Sequence, residues 1–62
     1  MFTLILFHGD MKHTAEFETL DEVISACHDA WNQHYELYAI EKEGLCLFIG
    51  YEVYELINKA VY

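Results

Sequence analysis

One four-residue segment fixes the position of a helix. Thr19-Leu20-Asp21-Glu22 has the spacing of a capping box, in which the Thr19 hydroxyl and the Glu22 carboxylate each accept a hydrogen bond from the other residue's backbone amide. Apolar residues then recur at spacings of three and four, which is the period of one helix face. They are Leu20, Val23, Ile24, Cys27, Ala30 and Trp31. The sequence therefore predicts an amphipathic helix that begins after Thr19 and ends in the polar trio 32–34.

The residues before this helix have the character of two strands. Phe2 to His8 is apolar at both odd and even positions, which is typical of a central strand covered on both faces. Residues 12–18 instead alternate between polar residues and less polar ones, so we expect one face of this strand to be exposed to solvent. The short link Gly9-Asp10-Met11 joins these segments as a hairpin.

A similar order of elements follows the helix. Residues 35–41 have β character, residues 41–44 form a turn in which Gly44 can take a left-handed conformation, and residues 45–50 make a second strand that is apolar on both sides. The apolar positions after Gly50 again repeat at three and four, which favours a short C-terminal helix. They are Val53, Leu56, Ile57, Ala60 and Val61.

These elements define the expected fold class. It is α+β, with the order ββαββα: a small antiparallel sheet, one central capped helix and a short C-terminal helix. The chain has no proline, linker or repeat, so we expect residues 1–62 to form a single domain.

Size and composition limit the possible functions. The chain has 62 residues, and 55% of them are hydrophobic and 16% aromatic, which excludes a disordered acidic tail. An enzyme pocket of ~300–1,000 Å³ needs walls that so short a chain scarcely supplies. The sequence also lacks an evident activated nucleophile or acid–base pair. We therefore expect a protein that is not an enzyme and uses no cofactor.

Apolar runs and cysteines bear on location. The longest apolar run, Leu4 to Phe7, is far shorter than the ~20 residues of a membrane span, and no basic segment precedes it. Small secreted domains usually carry two to four disulfides, whereas this chain has only Cys27 and Cys46. We therefore expect a cytoplasmic protein whose two thiols are reduced, buried and inert, with Cys46 facing either the core or an interface.

The histidines raise the question of a metal site. His8, Asp10 and His13 surround one hairpin turn, and such side chains bind zinc when they converge. Strand parity points His13 inward while His8 ends an apolar strand, and the later His28 and His34 do not share a helix face. We therefore predict no bound metal.

The charge indicates the class of partner. The chain has 3 lysines and no arginine against 11 acidic residues, a formal net charge of −8. It cannot neutralise phosphates, which excludes nucleic acid as a direct ligand, and its potential attracts basic surfaces. Two interpretations stay open at this point: the acids keep a sticky chain soluble, or they mimic phosphates and occupy a basic nucleic-acid groove.

The segment Ala15 to Ile24, a strand running into a capped helix and followed by a hairpin, resembles the layout of very small phage-encoded proteins. It is similar in order to the short phage inhibitors of host RNA polymerase. This resemblance implies a phage or mobile-element origin and a protein that binds and occludes a host protein in the bacterial cytoplasm. Those inhibitors rely on basic residues in their sheet, and this chain has no arginine, so no functional residue is carried over.

Together these features lead to a functional hypothesis. We expect a small acidic protein-binding inhibitor, anti-defence in role, that occludes the basic nucleic-acid-binding surface of a host or defence enzyme as a DNA mimic. The expected partner-binding residues are acids, with two tyrosines as anchors: Glu16, Glu18, Asp21, Glu22, Glu41, Glu43, Glu52, Glu55, Tyr51 and Tyr54. The alternative is an obligate homodimer without inhibitory activity, because so many large apolar side chains imply an exposed patch.

Overall fold

Four strands and two helices follow one another in the predicted order. The computed structural model describes residues 1–59. Its elements are β1 (Phe2–His8), β2 (Met11–Phe17), α1 (Leu20–Asn32), β3 (Glu36–Lys42), β4 (Leu45–Ile49) and α2 (Tyr51–Lys59). The α+β class and the ββαββα order are confirmed. The predicted helical positions Ala60 and Val61 lie outside the described residues.

The strands form one antiparallel sheet in the order β2-β1-β3-β4. The strand that is apolar at both parities, β1, is central as predicted, and it pairs with its hairpin partner β2 on one side and with β3 on the other. Leu4, for example, lies opposite Ala15 on β2 and opposite Ile40 on β3. The β1–β3 pairing thus joins two hairpins that lie on either side of α1 in the sequence.

Both helices pack on the same face of this sheet, and the core lies between the two layers. β1 contributes Leu4 and Leu6, and β3 contributes Leu37 and Ile40. The helices supply the remaining buried side chains of the core, Val23, Ile24, Cys27, Val53 and Ile57. Neither helix in residues 1–59 is long and apolar enough to cross a membrane.

The ends of α1 are closed by local hydrogen bonds. The Glu22 amide donates to Thr19 Oγ1 at 3.3 Å, and the Thr19 amide donates to Glu22 Oε1 at 3.1 Å, which confirms the predicted capping box. At the other end the Gln33 amide donates to the Ala30 carbonyl at 3.0 Å. His34 then adopts a φ of 68°, and this left-handed residue turns the chain towards β3.

The position of β4 differs from the prediction. The apolar run 45–50 was expected to be covered on both faces, but it forms an edge strand. The exposed fractions of Leu45, Leu47 and Ile49 are 71%, 43% and 50%. A short apolar run cannot by itself distinguish a central from an edge strand, and here the β1–β3 pairing places β4 outermost.

The two cysteines differ in burial because they lie on different elements. Cys27 is fully buried in the core, as predicted. Cys46 lies on the edge strand and is exposed, so the expectation that both thiols are buried is wrong for this residue.

The β3–β4 connection is a two-residue turn. Glu43 and Gly44 have φ angles of 51° and 83°, and positive φ at both central residues is typical of a type I′ hairpin turn. The predicted left-handed role of Gly44 is confirmed. β3 extends to Lys42, so this turn is shorter than the predicted 41–44, and β2 begins and ends one residue earlier than predicted.

Candidate protein-interaction surface

One face of the sheet has no helix on it. We term this face the outer face; the pairing register assigns to it the residues that alternate with the core positions. Its members are Thr3, Ile5, Phe7, Lys12, Thr14, Glu16, Tyr38, Ala39, Glu41, Cys46 and Ile49. Ile5 and Ala39 are buried, at 8% and 2% exposure, yet they do not belong to the core cluster beneath the helices. The outer face therefore has a small apolar centre of its own.

A cross-strand row and an aromatic pair make up this apolar centre. Ile5 lies opposite Ala39, which in turn lies opposite Ile49. The register between β1 and β3 shifts after Ile5, and the extra residue in β3, Tyr38, contacts Phe7 edge to face with ring centroids 5.4 Å apart. Tyr38 and Ile49 are 46% and 50% exposed, so they give this face its exposed apolar surface, and such surface marks interaction sites.

Acidic residues lie at one end of the outer face. Thr3 on β1 has Glu16 opposite it on β2 and Glu41 opposite it on β3. Because neighbouring strands are ~4.8 Å apart, the backbones of these two glutamates are about 10 Å apart across Thr3. Two of the predicted binding residues are thus brought side by side on one surface.

Four more predicted acids lie at the same end of the molecule. Glu18 directly follows β2, and Glu43 is in the turn that follows β3. Asp21 and Glu22 are in the first turn of α1, which starts just beyond Glu18. We term the whole set the acidic end: Glu16, Glu18, Asp21, Glu22, Glu41 and Glu43.

Few cations oppose this acidic end. Among residues 1–59 no lysine lies within ion-pair distance of a carboxylate, and the amino group of Met1 is 4.0 Å from Glu43 Oε1. Lys42 places its Nζ 5.2 Å from the centre of the Phe2 ring instead. The Glu22 carboxylate is engaged in the capping box.

The other predicted residues belong to α2 and lie apart from the acidic end. β4 extends away from the acidic end for five residues, on the order of 15 Å, before α2 begins. Tyr51 is 73% exposed, and its hydrogen bond to Glu55, followed by the charge of that residue, raises the pKa of Tyr51. Glu52 Oε1 accepts a hydrogen bond from the Ile49 amide at 3.2 Å. The structure therefore divides the predicted residues between two places.

Tyr54, the second predicted anchor, is engaged within the chain. Its hydroxyl accepts a hydrogen bond from the Leu37 amide at 3.0 Å. Its half-buried ring meets Trp31 edge to face, with centroids 5.2 Å apart. The Tyr54 side chain is therefore held in place within the chain, and only the exposed part of it is accessible to another protein.

The histidines of the first hairpin meet an aromatic ring. His8 stacks on Tyr35 with centroids 4.9 Å apart, and His13 contacts the same ring edge to face at 5.5 Å. In the part of the chain that the structure describes, no group of three or more His, Cys, Asp or Glu side chains is arranged to hold a metal ion.

Two features of the surface were not predicted from the sequence. Tyr38 faces outward because of a β-bulge, for which no local signal was recognised. Trp31 fits the apolar period of α1 and was assigned to the core, yet it is 43% exposed; its place in the last helical turn was the available clue. Comparison with family models, with curated proteins and with solved structures found no match.

Proposed function

We propose that the protein is a small acidic protein-binding module that covers a basic, nucleic-acid-binding surface of a partner protein. The observation that carries the proposal is the acidic end, six carboxylates at one end of the molecule, two of which, Glu16 and Glu41, lie on the open outer face. In line with the resemblance described above, the module acts as a phage or mobile-element inhibitor of a host or defence enzyme in the bacterial cytoplasm.

Charge and apolar area have separate roles in this proposal. The acidic end steers the module towards a basic surface, because charges of one sign raise association rates with an oppositely charged partner. Carboxylates accept charge-assisted hydrogen bonds from arginine and lysine as phosphates do. The exposed side chains of Tyr38 and Ile49 beside the apolar centre then supply contact area that loses water on binding.

The test begins by identifying the partner and continues with purified components. Capture from bacterial lysate followed by mass spectrometry names the candidate. Its association rate is then measured against salt concentration, and duplex DNA is added as a competitor. We expect the rate to fall as salt rises, and DNA to displace the module.

Two charge-reversal variants make the test specific. Glu16→Lys with Glu41→Lys reverses the pair that flanks Thr3 and changes the net charge from −8 to −4. Asp10→Lys with Asp29→Lys makes the same change at exposed positions away from the acidic end. We expect the first variant to lose binding and the second to keep most of it. A partner that binds DNA and the module at the same time would show that phosphate mimicry is wrong.

A second candidate function is self-association without an inhibitory target. It is favoured by the outer face itself, on which neither helix of residues 1–59 packs and which exposes Tyr38 and Ile49. The two candidates respond differently to the charge variants. A homodimer seam at the apolar centre survives Glu16→Lys with Glu41→Lys, whereas binding to a basic partner does not.

A further inference from the structure

A concavity lies away from the acidic end, where α1 ends, β3 begins and α2 passes over them. Its volume is about 670 Å³, and its walls include Trp31, Tyr35 and Tyr54 together with the carboxylate residue Glu36. None of these residues belongs to the acidic end. Concavities of roughly this size are typical of sites for small groups.

Two of the aromatic walls form a right-angled corner. The Trp31 and Tyr54 rings are inclined at 83° with centroids 5.2 Å apart. The Leu37 amide holds the Tyr54 hydroxyl, and the ring contact with His8 holds Tyr35. These rings are therefore positioned before any ligand arrives, which lowers the entropy cost of binding.

The electrostatics of the concavity favour a cation. Glu36 is exposed at its rim. The last turn of α1 has no basic residue, so no side-chain charge there opposes the partial negative charge of about −0.5 at a helix C-terminus. Aromatic faces attract cations through their quadrupole, most strongly that of tryptophan.

We propose that this concavity binds a guanidinium group, the side chain of an arginine presented by a peptide or protein. The planar guanidinium stacks on an aromatic face and at the same time offers a pair of N–H donors to one carboxylate, and the concavity supplies both in Trp31 and Glu36. A lysine ammonium is a point charge and uses only part of this arrangement. The site does not depend on the proposed function, because it shares no residue with the acidic end.

Trp31 gives a direct readout, since it is the only tryptophan of the chain. We would titrate the full-length protein with a capped tripeptide, glycyl-arginyl-glycine, and follow the tryptophan emission. The matched peptides carry citrulline, which has nearly the same shape without the charge, or lysine. The titration is run at pH 8; His28 and His34 also line the concavity.

We expect a saturable emission change with the arginine peptide and about tenfold weaker binding of the citrulline peptide. The lysine peptide should bind with intermediate affinity. Equal affinity for arginine and citrulline would overturn the proposal, as would the absence of any saturable change.

Two single variants with equal charge change locate the site. Glu36→Gln should weaken the arginine peptide about fivefold, whereas Glu16→Gln, at the acidic end, should leave its affinity unchanged. Urea unfolding of both variants checks that each is folded. An equal loss in the two variants would mean that net charge alone attracts the peptide, and the proposal would be wrong. Failure here leaves the proposed function standing, since its test uses Glu16, Glu41 and a different ligand.

Discussion

The Tyr54 hydroxyl accepts a hydrogen bond from the backbone amide of Leu37 at 3.0 Å. β4 ends opposite Ala39, so β3 extends beyond its neighbour at Leu37. The side chain from α2 thus supplies a partner for a strand amide that β4 does not reach. The bond also fixes one wall of the concavity in which Trp31 lies.

This bond predicts a stability difference between two tyrosines. Tyr54→Phe keeps the ring but leaves the partly buried Leu37 amide without its acceptor, and we expect it to lower the free energy of unfolding by about 1–2 kcal/mol. Tyr51→Phe removes the hydroxyl of an exposed side chain and should change stability by less than about 0.5 kcal/mol. Urea unfolding measures both. Equal effects would show that the Leu37 bond contributes nothing.

The capping box of α1 predicts a second difference. Thr19→Ala removes the side-chain acceptor of the Glu22 amide and should cost about 1 kcal/mol. Ser25→Ala, at an exposed position inside the same helix, should be neutral or slightly stabilising, because alanine is the better helix former. Thermal or urea unfolding checks the pair, and an unchanged midpoint for Thr19→Ala contradicts the expected contribution of the cap.

The β3–β4 turn predicts a stabilising substitution. Glu43 has a φ of 51°, a conformation that asparagine or glycine adopts more readily in type I′ turns. Glu43→Asn should raise the free energy of unfolding by about 0.5–1 kcal/mol. Glu18→Asn makes the same chemical change at a residue without positive φ, and it separates the backbone effect from the loss of one charge. A gain of equal size in both variants would assign the effect to charge.

The Cys27 thiol predicts a pH dependence of stability. Burial raises the pKa of Cys27 from 9.0 to about 11, so the folded state keeps a proton that the unfolded state has lost between these values. Stability should therefore fall as pH rises through this window, by on the order of 2 kcal/mol. Tyrosines titrate in the same range, so the measurement is the difference in slope between the wild type and Cys27→Ala. Parallel slopes would contradict the expected role of the buried thiol.

The outer face predicts self-association in the absence of another partner. We expect a mass near twice the 7.3 kDa of one chain by light scattering at micromolar concentration. Ile49→Asp places a charge in the apolar row and should give the monomer mass. Leu45→Asp is the control, because Leu45 is exposed on the same edge strand but lies opposite Lys42, outside the outer face. A monomeric wild type would contradict a dimer seam at this face.

Local spacing predicts local structure well in this chain. The Thr19 and Glu22 pair located the start of α1 to the residue, because both partners of the cap lie within one helical turn. Gly44 likewise marked its turn, because few other residues adopt its φ. In such cases the physical cause lies entirely within the segment.

Features that depend on pairing between strands far apart in the chain could not be predicted from the sequence. Glu16 and Glu41 lie on either side of Thr3 only because β1 pairs with both β2 and β3. Nothing near either glutamate in the sequence indicates this strand order. The same pairing leaves β4 at the edge and Cys46 exposed. The predicted burial of Trp31 was wrong for a related reason. The helical period shows on which side of the helix a residue lies, but it does not show whether the sheet extends far enough to cover the last turn.

In the strand order β2-β1-β3-β4, the antiparallel β1–β3 pair joins two ββα halves of the chain. One half ends at α1 and the other ends at α2, although their sequences do not repeat. Leu4 and Leu6 from one half pack with Leu37 and Ile40 from the other. The core is therefore an interface between two halves of one chain, which are connected through Gln33 and His34, and a substitution on either side of that interface removes contacts from both halves.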